Sequence, residues 1–164
     1  MKLIYRIFLT ICICSVVGFI LFNSTRTGTQ SSQTSSSLAE RVVPIVAPEI
    51  IDMQDEVKEK AIYNVHVSLR NVAHVVEYAL LAFFVALLTF TFKFNYGRYP
   101  IAMVITVLAC SIFAVLDELL QNTVSGRMAQ IGDVAMDAMG VVIGVTFALI
   151  MDFIVIRIIK KRKG

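Results

Sequence analysis

Apolar residues in this chain are gathered into runs long enough to cross a bilayer. Leu3 to Phe22, Val72 to Phe92, Tyr99 to Leu120 and Val134 to Ile156 each hold about 20 predominantly apolar residues, the length a helix needs to span the hydrocarbon core. Between the first and second runs the pattern changes twice. Asn23 to Leu38 is dominated by Ser, Thr, Gln and Gly, a composition that predicts a solvated link, and Pro44 and Pro48 argue against a continuous helix beyond it. From Ile50 onward, Ile50, Met53, Val57, Ala61, Val65 and Leu69 recur at steps of three and four, with Asp52, Asp55, Glu56, Lys58 and Glu59 on the other face. That periodicity predicts an amphipathic helix. The short link Lys93 to Pro100, broken by Gly97 and Pro100, makes the second and third runs antiparallel neighbours.

The expected fold is all-α: a polytopic membrane protein with a four-helix transmembrane bundle and an additional amphipathic helix on the outer side. Residues 1–22 form the first transmembrane helix, 23–49 a Ser/Thr-rich outer linker and 50–70 the outer amphipathic helix. Residues 71–164 form a core of three transmembrane helices with a basic cytoplasmic tail.

Composition agrees with this division. The chain is 57% hydrophobic and 16% charged over 164 residues, whereas charged residues make up roughly a quarter of a soluble domain. Four spans leave no room for a separate soluble catalytic domain. Lys2 and Arg6 give the first run the positive front of a signal peptide, but no small-x-small pattern follows Phe22 and the run is long, so a retained anchor is expected. Lys2 and Arg6, then Lys93 and Arg98, then Lys160 to Lys163 fall on one side of an even number of spans, which puts both termini in the cytoplasm. The net charge of +3 requires no nucleic acid, since the terminal Lys/Arg run suits anionic lipid. Cys12, Cys14 and Cys110 lie inside apolar runs without metal-ligand spacing and are read as buried thiols.

The polar residues at the span ends change the picture most. His74, Glu77 and Tyr78 are spaced i, i+3, i+4 and share a helix face, with Arg70 one turn before them. Asp117 and Gln121 are spaced i, i+4 beside Glu118, and Asp133 and Asp137 repeat that spacing where the last span begins. By helical rise each group occupies roughly the outer 5–8 Å of its span. Arg127 sits on the connection above them. Carboxylates within membrane segments are costly and mark a functional site by default. Taken singly, each residue has a plainer explanation. Tyr78 would sit at the interface, Asp133 would cap a helix, Glu118 would face headgroup water, and the whole set would be carboxylate–Arg glue. Gly140 and Gly144 continue the acidic face of the last span as a small-x-x-x-small surface for close helix approach. Asp152 lies about 22 Å deeper than Asp137 by rise and reads as an interfacial charge near Arg157.

These stretches resemble the VanZ-like family of small bacterial membrane proteins. The resemblance rests on Arg70-Asn71-Val72-Ala73-His74-Val75-Val76-Glu77-Tyr78. It rests equally on the Asp-Glu-x-x-Gln, Gly-Arg, Asp-x-x-x-Asp and Gly-x-x-x-Gly elements between Asp117 and Gly144. It implies a multi-pass protein of the bacterial plasma membrane with a role at the cell envelope, the named member being linked to glycopeptide (teicoplanin) resistance. Many members carry His before the Gln and Pro before the Gly-Arg pair, where this chain has Leu120 and Ser125. The missing His removes one candidate proton carrier or metal ligand.

Two functional readings follow. In the first, an outward-facing site binds or modifies a membrane lipid, a lipid-linked envelope precursor or another anionic envelope molecule. Arg70 and Arg127 recognise the headgroup with Tyr78 and Gln121 beside them, and His74 transfers a proton over a floor of Glu77, Asp117, Glu118, Asp133 and Asp137. Clustered carboxylates also suit a divalent cation such as Mg²⁺, Ca²⁺ or Mn²⁺, although no strict ligand motif is present. In the second, the protein is a non-enzymatic membrane scaffold or a small proton-coupled transporter component.

Overall fold

The computed structural model describes residues 2–52, 54–92, 98–127 and 131–161, and among these every regular element is helical. Helix α1 spans Lys2–Ser24, α2 Gly28–Val46, α3 Asp55–Thr89, α4 Arg98–Asn122 and α5 Ile131–Lys161, with a 3-10 turn at Pro48–Asp52. The turn expected at Lys93 to Gly97 and the tail residues Arg162 and Lys163 lie outside the described residues. α1, α3, α4 and α5 are each long and apolar enough to cross a membrane, so the protein is a multi-pass helical membrane protein. Its outer surface is apolar, as hydrocarbon solvent requires: Ile11, Leu108, Val142 and Phe147 are all exposed.

α3 is the hub. It packs on α1, α2, α4 and most extensively on α5. Tyr78, Leu81, Ala82 and Ala86 from α3 meet Ala102, Cys110 and Ala114 from α4 and Val141, Val145 and Ala148 from α5 in one buried cluster. Small residues dominate because lipid supplies no hydrophobic push, and helices gain instead by approaching closely. α3 and α5 approach closely at Gly140 and Gly144. A Cβ built on Gly140 would collide with the carbonyl oxygen of Val75, and one on Gly144 with that of Ala79. The opposite end of the bundle is tied by polar contacts. Arg6 donates from Nε to Thr91 Oγ1 at 2.8 Å and from Nη2 to the Thr91 carbonyl at 2.9 Å, and its guanidinium lies 4.2 Å from the Phe92 ring centroid. Tyr99 Oη donates to Asp152 at 2.6 Å, so Asp152 is held by a neighbouring helix.

Three sequence expectations are corrected. The Ser-rich stretch read as a solvated link is largely helical, forming α2. Thr27 and Gln30 close a capping box, with Thr27 Oγ1 accepting from the Gln30 amide and Gln30 Oε1 accepting from the Thr27 amide. The hydroxyls of Thr34, Ser35 and Ser37 bond back to carbonyls four residues earlier, so they do not compete with the helix. Burial of Ala39 and Val43 seats this polar helix against the rest of the protein. Pro44 is accommodated in the last turn, and the helix stops at Ala47, before Pro48.

The amphipathic helix of 50–70 is likewise not separate. Residues from Asp55 run unbroken into the span as one 35-residue helix, because no Gly or Pro interrupts it. At about 1.5 Å per residue this is roughly 52 Å, well beyond a 30 Å hydrocarbon core, so its first turns stand clear of the bilayer. Finally, the cysteines differ from one another: Cys110 is buried, Cys12 is half-buried and Cys14 is exposed on the lipid-facing side of α1.

α2 is anchored where it begins. The Gly28 amide donates to the Ser125 carbonyl at 3.1 Å, and a Cβ on Gly28 would collide with the Gly126 carbonyl oxygen. Gly28→Ala should therefore unseat α2 from the α4–α5 turn at a cost of about 1–3 kcal/mol. Tryptic cleavage after Arg26 should accelerate accordingly, whereas Gly132→Ala, with nothing within 4 Å of the new Cβ, should leave the digestion pattern unchanged.

Candidate functional site

Four helices, not three, deliver polar side chains to one end of the bundle. Arg70 Nη2 bonds Asp133 Oδ2 at 2.6 Å, linking α3 to the first turn of α5. One turn further along both helices, His74 Nδ1 lies 3.0 Å from Asp137 Oδ1, while His74 Nε2 is 4.0 Å from Asp133 Oδ2. The i, i+4 spacing on each helix thus matches the two pairs to one another. Glu77 Oε1 accepts from Asn23 Nδ2 at 2.7 Å. Asp117 accepts from Ser24 Oγ at 2.5 Å and from Gln121 Nε2 at 2.9 Å, and Gln121 also reaches Ser24 Oγ at 3.4 Å.

Asn23 and Ser24 went unrecognised in the sequence because they open the Ser-rich stretch and were read as its start. The signal that could have found them is depth. They close the first span at the level where the other helices carry their carboxylates.

Arg127 reaches the same region from the α4–α5 connection. Gly126 adopts a left-handed φ of 75°, a conformation that favours glycine, and this bend returns the chain so that Arg127 Nη2 donates to the Asn23 carbonyl at 3.1 Å. Burial, and then the like charge of Arg70, pull the Arg127 guanidinium below its usual pKa, while Asp117 and Asp133 act in the other direction.

A cavity of about 540 Å³ opens beside these groups, between α1, α2 and α3. Of the residues singled out from the sequence, Arg70, His74, Glu77 and Arg127 line it, joined by Asn23, Ser24 and Arg26. Phe19, Phe22 and Val76 form its apolar side, and all three are exposed on the outer surface, where hydrocarbon would meet them. Asp117, Asp133 and Asp137 are not on its wall. They stand behind it, each less than 5% exposed, and hold the lining residues in place.

Two plainer readings from sequence also change. Tyr78 is not an interfacial ring: it is fully buried, with its ring centroid 6.2 Å from that of Phe113, and does not line the cavity. Glu118 does not face headgroup water but is buried on α4. Gln121 is buried too and serves Asp117, not the cavity. Among the described residues no three His, Cys, Asp or Glu side chains group in a way that could hold a metal ion.

Fold and site together define a polytopic helical membrane protein with a paired, buried polar cluster at one end of its bundle. The chain belongs to the VanZ/LLP1 family, whose model matches residues 7–152, from α1 through most of α5 and including α2. Neither a curated protein nor a solved structure matches it.

Proposed function

We propose that this VanZ-like protein works at the bacterial cell envelope, using an outward-facing site to bind or modify a lipid-linked or otherwise anionic envelope molecule. One observation carries the reading: a single cavity joins the guanidinium groups of Arg26, Arg70 and Arg127 to the exposed apolar side chains of Phe19 and Phe22. A volume of about 540 Å³ lies within the few-hundred to thousand Å³ range of ligand pockets. Cationic donors above an apolar wall suit an amphiphile with its headgroup at the membrane surface. The flanking basic residues orient this end outward, with both termini in the cytoplasm of a plasma-membrane protein. In a modifying version His74, held by Asp137, would transfer the proton.

A scaffold role is the second reading, favoured by the pairing of Asp133 with Arg70 and Asp137 with His74, as expected of interhelical glue. A proton path is less well supported. Beneath Asp137 the α3–α5 interface closes backbone to backbone at Gly140 and Gly144.

The two readings separate by substitution. Arg127→Ala and Glu77→Gln alter cavity-lining groups and should leave a folded, membrane-inserted protein. In native mass spectrometry the Arg127→Ala protein should retain anionic phospholipid about tenfold less well than the parent, a loss of about 1.4 kcal/mol. Where the parent protein confers reduced teicoplanin susceptibility on a bacterial host, both variants should lose it. Equal retention of anionic and zwitterionic lipid by the parent would defeat the binding reading. Failure of both variants to accumulate would favour the scaffold.

A further inference from the structure

A second, smaller cavity of about 120 Å³ adjoins the first and shares Ser31, Ser35, Arg70 and Arg127 with it. Its remaining lining is different in kind: Gly28, Ser32, His66 and Gly126 replace the phenylalanines. The Nδ1 atom of His66 is shielded from solvent and finds no hydrogen-bond partner among the described residues. A buried polar atom left without a partner costs about 1–3 kcal/mol, and the usual remedy is water or a ligand.

We infer that this recess is the headgroup seat of the larger cavity and takes a phosphate, held by Ser31, Ser32, His66, Arg70 and Arg127, on an amphiphile whose chain lies along Phe19 and Phe22. The inference rests on the anionic-amphiphile reading above and specifies its headgroup.

Donor number and kind single out phosphate. Two planar guanidinium groups, an imidazole and the hydroxyls of Ser31 and Ser32 surround a space with no carboxylate on its wall, while the Ser35 hydroxyl donates to the Ser31 carbonyl. A carboxylate ligand has two oxygens and one charge. A phosphate presents more acceptor oxygens, and a monoester carries about −1.5 to −2 charges at neutral pH, which this many donors can satisfy. Asp133 already compensates one charge, on Arg70, so the seat retains the positive charge of Arg127. The proximity of Arg70 and Arg26 to Arg127 is a like-charge arrangement that an anion would relieve.

Position agrees with chemistry. His66 precedes His74 by eight residues, about 12 Å of helix further from the bilayer centre, so the polar seat lies outward of the apolar wall. That is the order of headgroup and chain in a leaflet.

The test uses full-length protein in dodecyl maltoside, titrated with n-dodecyl phosphate, dodecanoate or inorganic phosphate and followed by thermal unfolding. Dodecyl phosphate should stabilise at concentrations at least tenfold below dodecanoate, with inorganic phosphate weaker than either. His66→Ala should erase about tenfold of the phosphate preference. Ser32→Ala, on the exposed side of α2, should reduce it by several-fold without risk to the fold. If dodecanoate equals dodecyl phosphate, or if neither variant alters the preference, the phosphate seat is overturned while anionic-amphiphile binding stands. If inorganic phosphate equals dodecyl phosphate, the seat stands but its ligand comes from solution, and the lipid-linked reading falls. If no titrant exceeds detergent alone, both fail, and the recess holds only water.

Discussion

Gly144→Leu is expected to abolish accumulation of monodisperse protein in detergent. A Cβ on Gly144 already collides with the Ala79 carbonyl oxygen and would also lie only 2.9 Å from the Phe83 amide nitrogen, so the obstruction is backbone and cannot swing aside. The α3–α5 contact is the most extensive in the molecule, and separating these helices would pull Arg70 from Asp133 and His74 from Asp137. Gly144→Ala should be milder, costing about 1–3 kcal/mol as an overpacked interface, and Gly140→Ala should behave alike because its Cβ meets the Val75 carbonyl oxygen. Gly18→Ala supplies the control. Nothing lies within 4 Å of its Cβ, so the better helix propensity of Ala should leave α1 unchanged or slightly steadier. Size-exclusion profiles and melting midpoints of the four variants check the set. Equal tolerance at positions 18 and 144 would contradict the close approach.

The second large effect is asymmetric. Arg70→Met should cost about 2–3 kcal/mol, at or just below the range of roughly 3–5 kcal/mol for breaking a fully buried pair, because the Arg70 side chain is 33% exposed and water screens part of the interaction. The loss arises from Asp133, whose side chain is only 5% exposed and would keep only the longer approach of His74 Nε2 at 4.0 Å, which is an ion pair only when the imidazole is protonated. Asp133→Asn should cost less, since the stranded guanidinium can turn toward solvent. Arg70→Met combined with Asp133→Leu should recover most of the stability, since neither charge then remains buried. A double-mutant cycle on chemical or thermal unfolding measures the coupling. Equal costs for the two single variants would show that Asp133 is better solvated than its burial indicates.

How far the site could be read beforehand varies residue by residue. That Asp133 and Asp137 share one face, as do His74 and Tyr78, was legible in the spacing, because i, i+4 residues share a face whatever the helix packs against; that Arg70 meets Asp133 and His74 meets Asp137 was not. Gly140 and Gly144 were legible for the same reason, since a small-residue face in a membrane span has few uses besides close packing. Which of these groups reach the cavity was not legible. Asp117, Asp133 and Asp137 look like His74 and Glu77 in a sequence, yet they stand behind the wall while the latter line it. That division depends on the rotation of each helix about its axis.

The Ser-rich stretch misled because composition was weighed without its anchors. The Thr27–Gln30 box is a local signal, but the bond from Gly28 to Ser125 and the seating of Ala39 and Val43 are tertiary. Without α2 there would be no roof over the cavity and no Ser31, Ser32 or Ser35 beside Arg70 and Arg127. Nothing in the local pattern sets His66 apart from its helical neighbours.

Taken alone, the order of residues determined that this chain is a four-span helical membrane protein and that His74, Glu77, Asp117, Asp133 and Asp137 lie at one level of their spans. Hydrocarbon tolerates only long apolar helices, and a charge inside it only at a level where others can meet it. Tertiary structure decided the remainder: that α1 closes the cluster through Asn23 and Ser24, that a polar helix covers the cavity, and that Glu77, Asp117, Asp133 and Asp137 meet Asn23, Ser24, Arg70 and His74 respectively. Those outcomes follow from helix rotation and from contacts between residues as far as 104 positions apart, which no local pattern encodes.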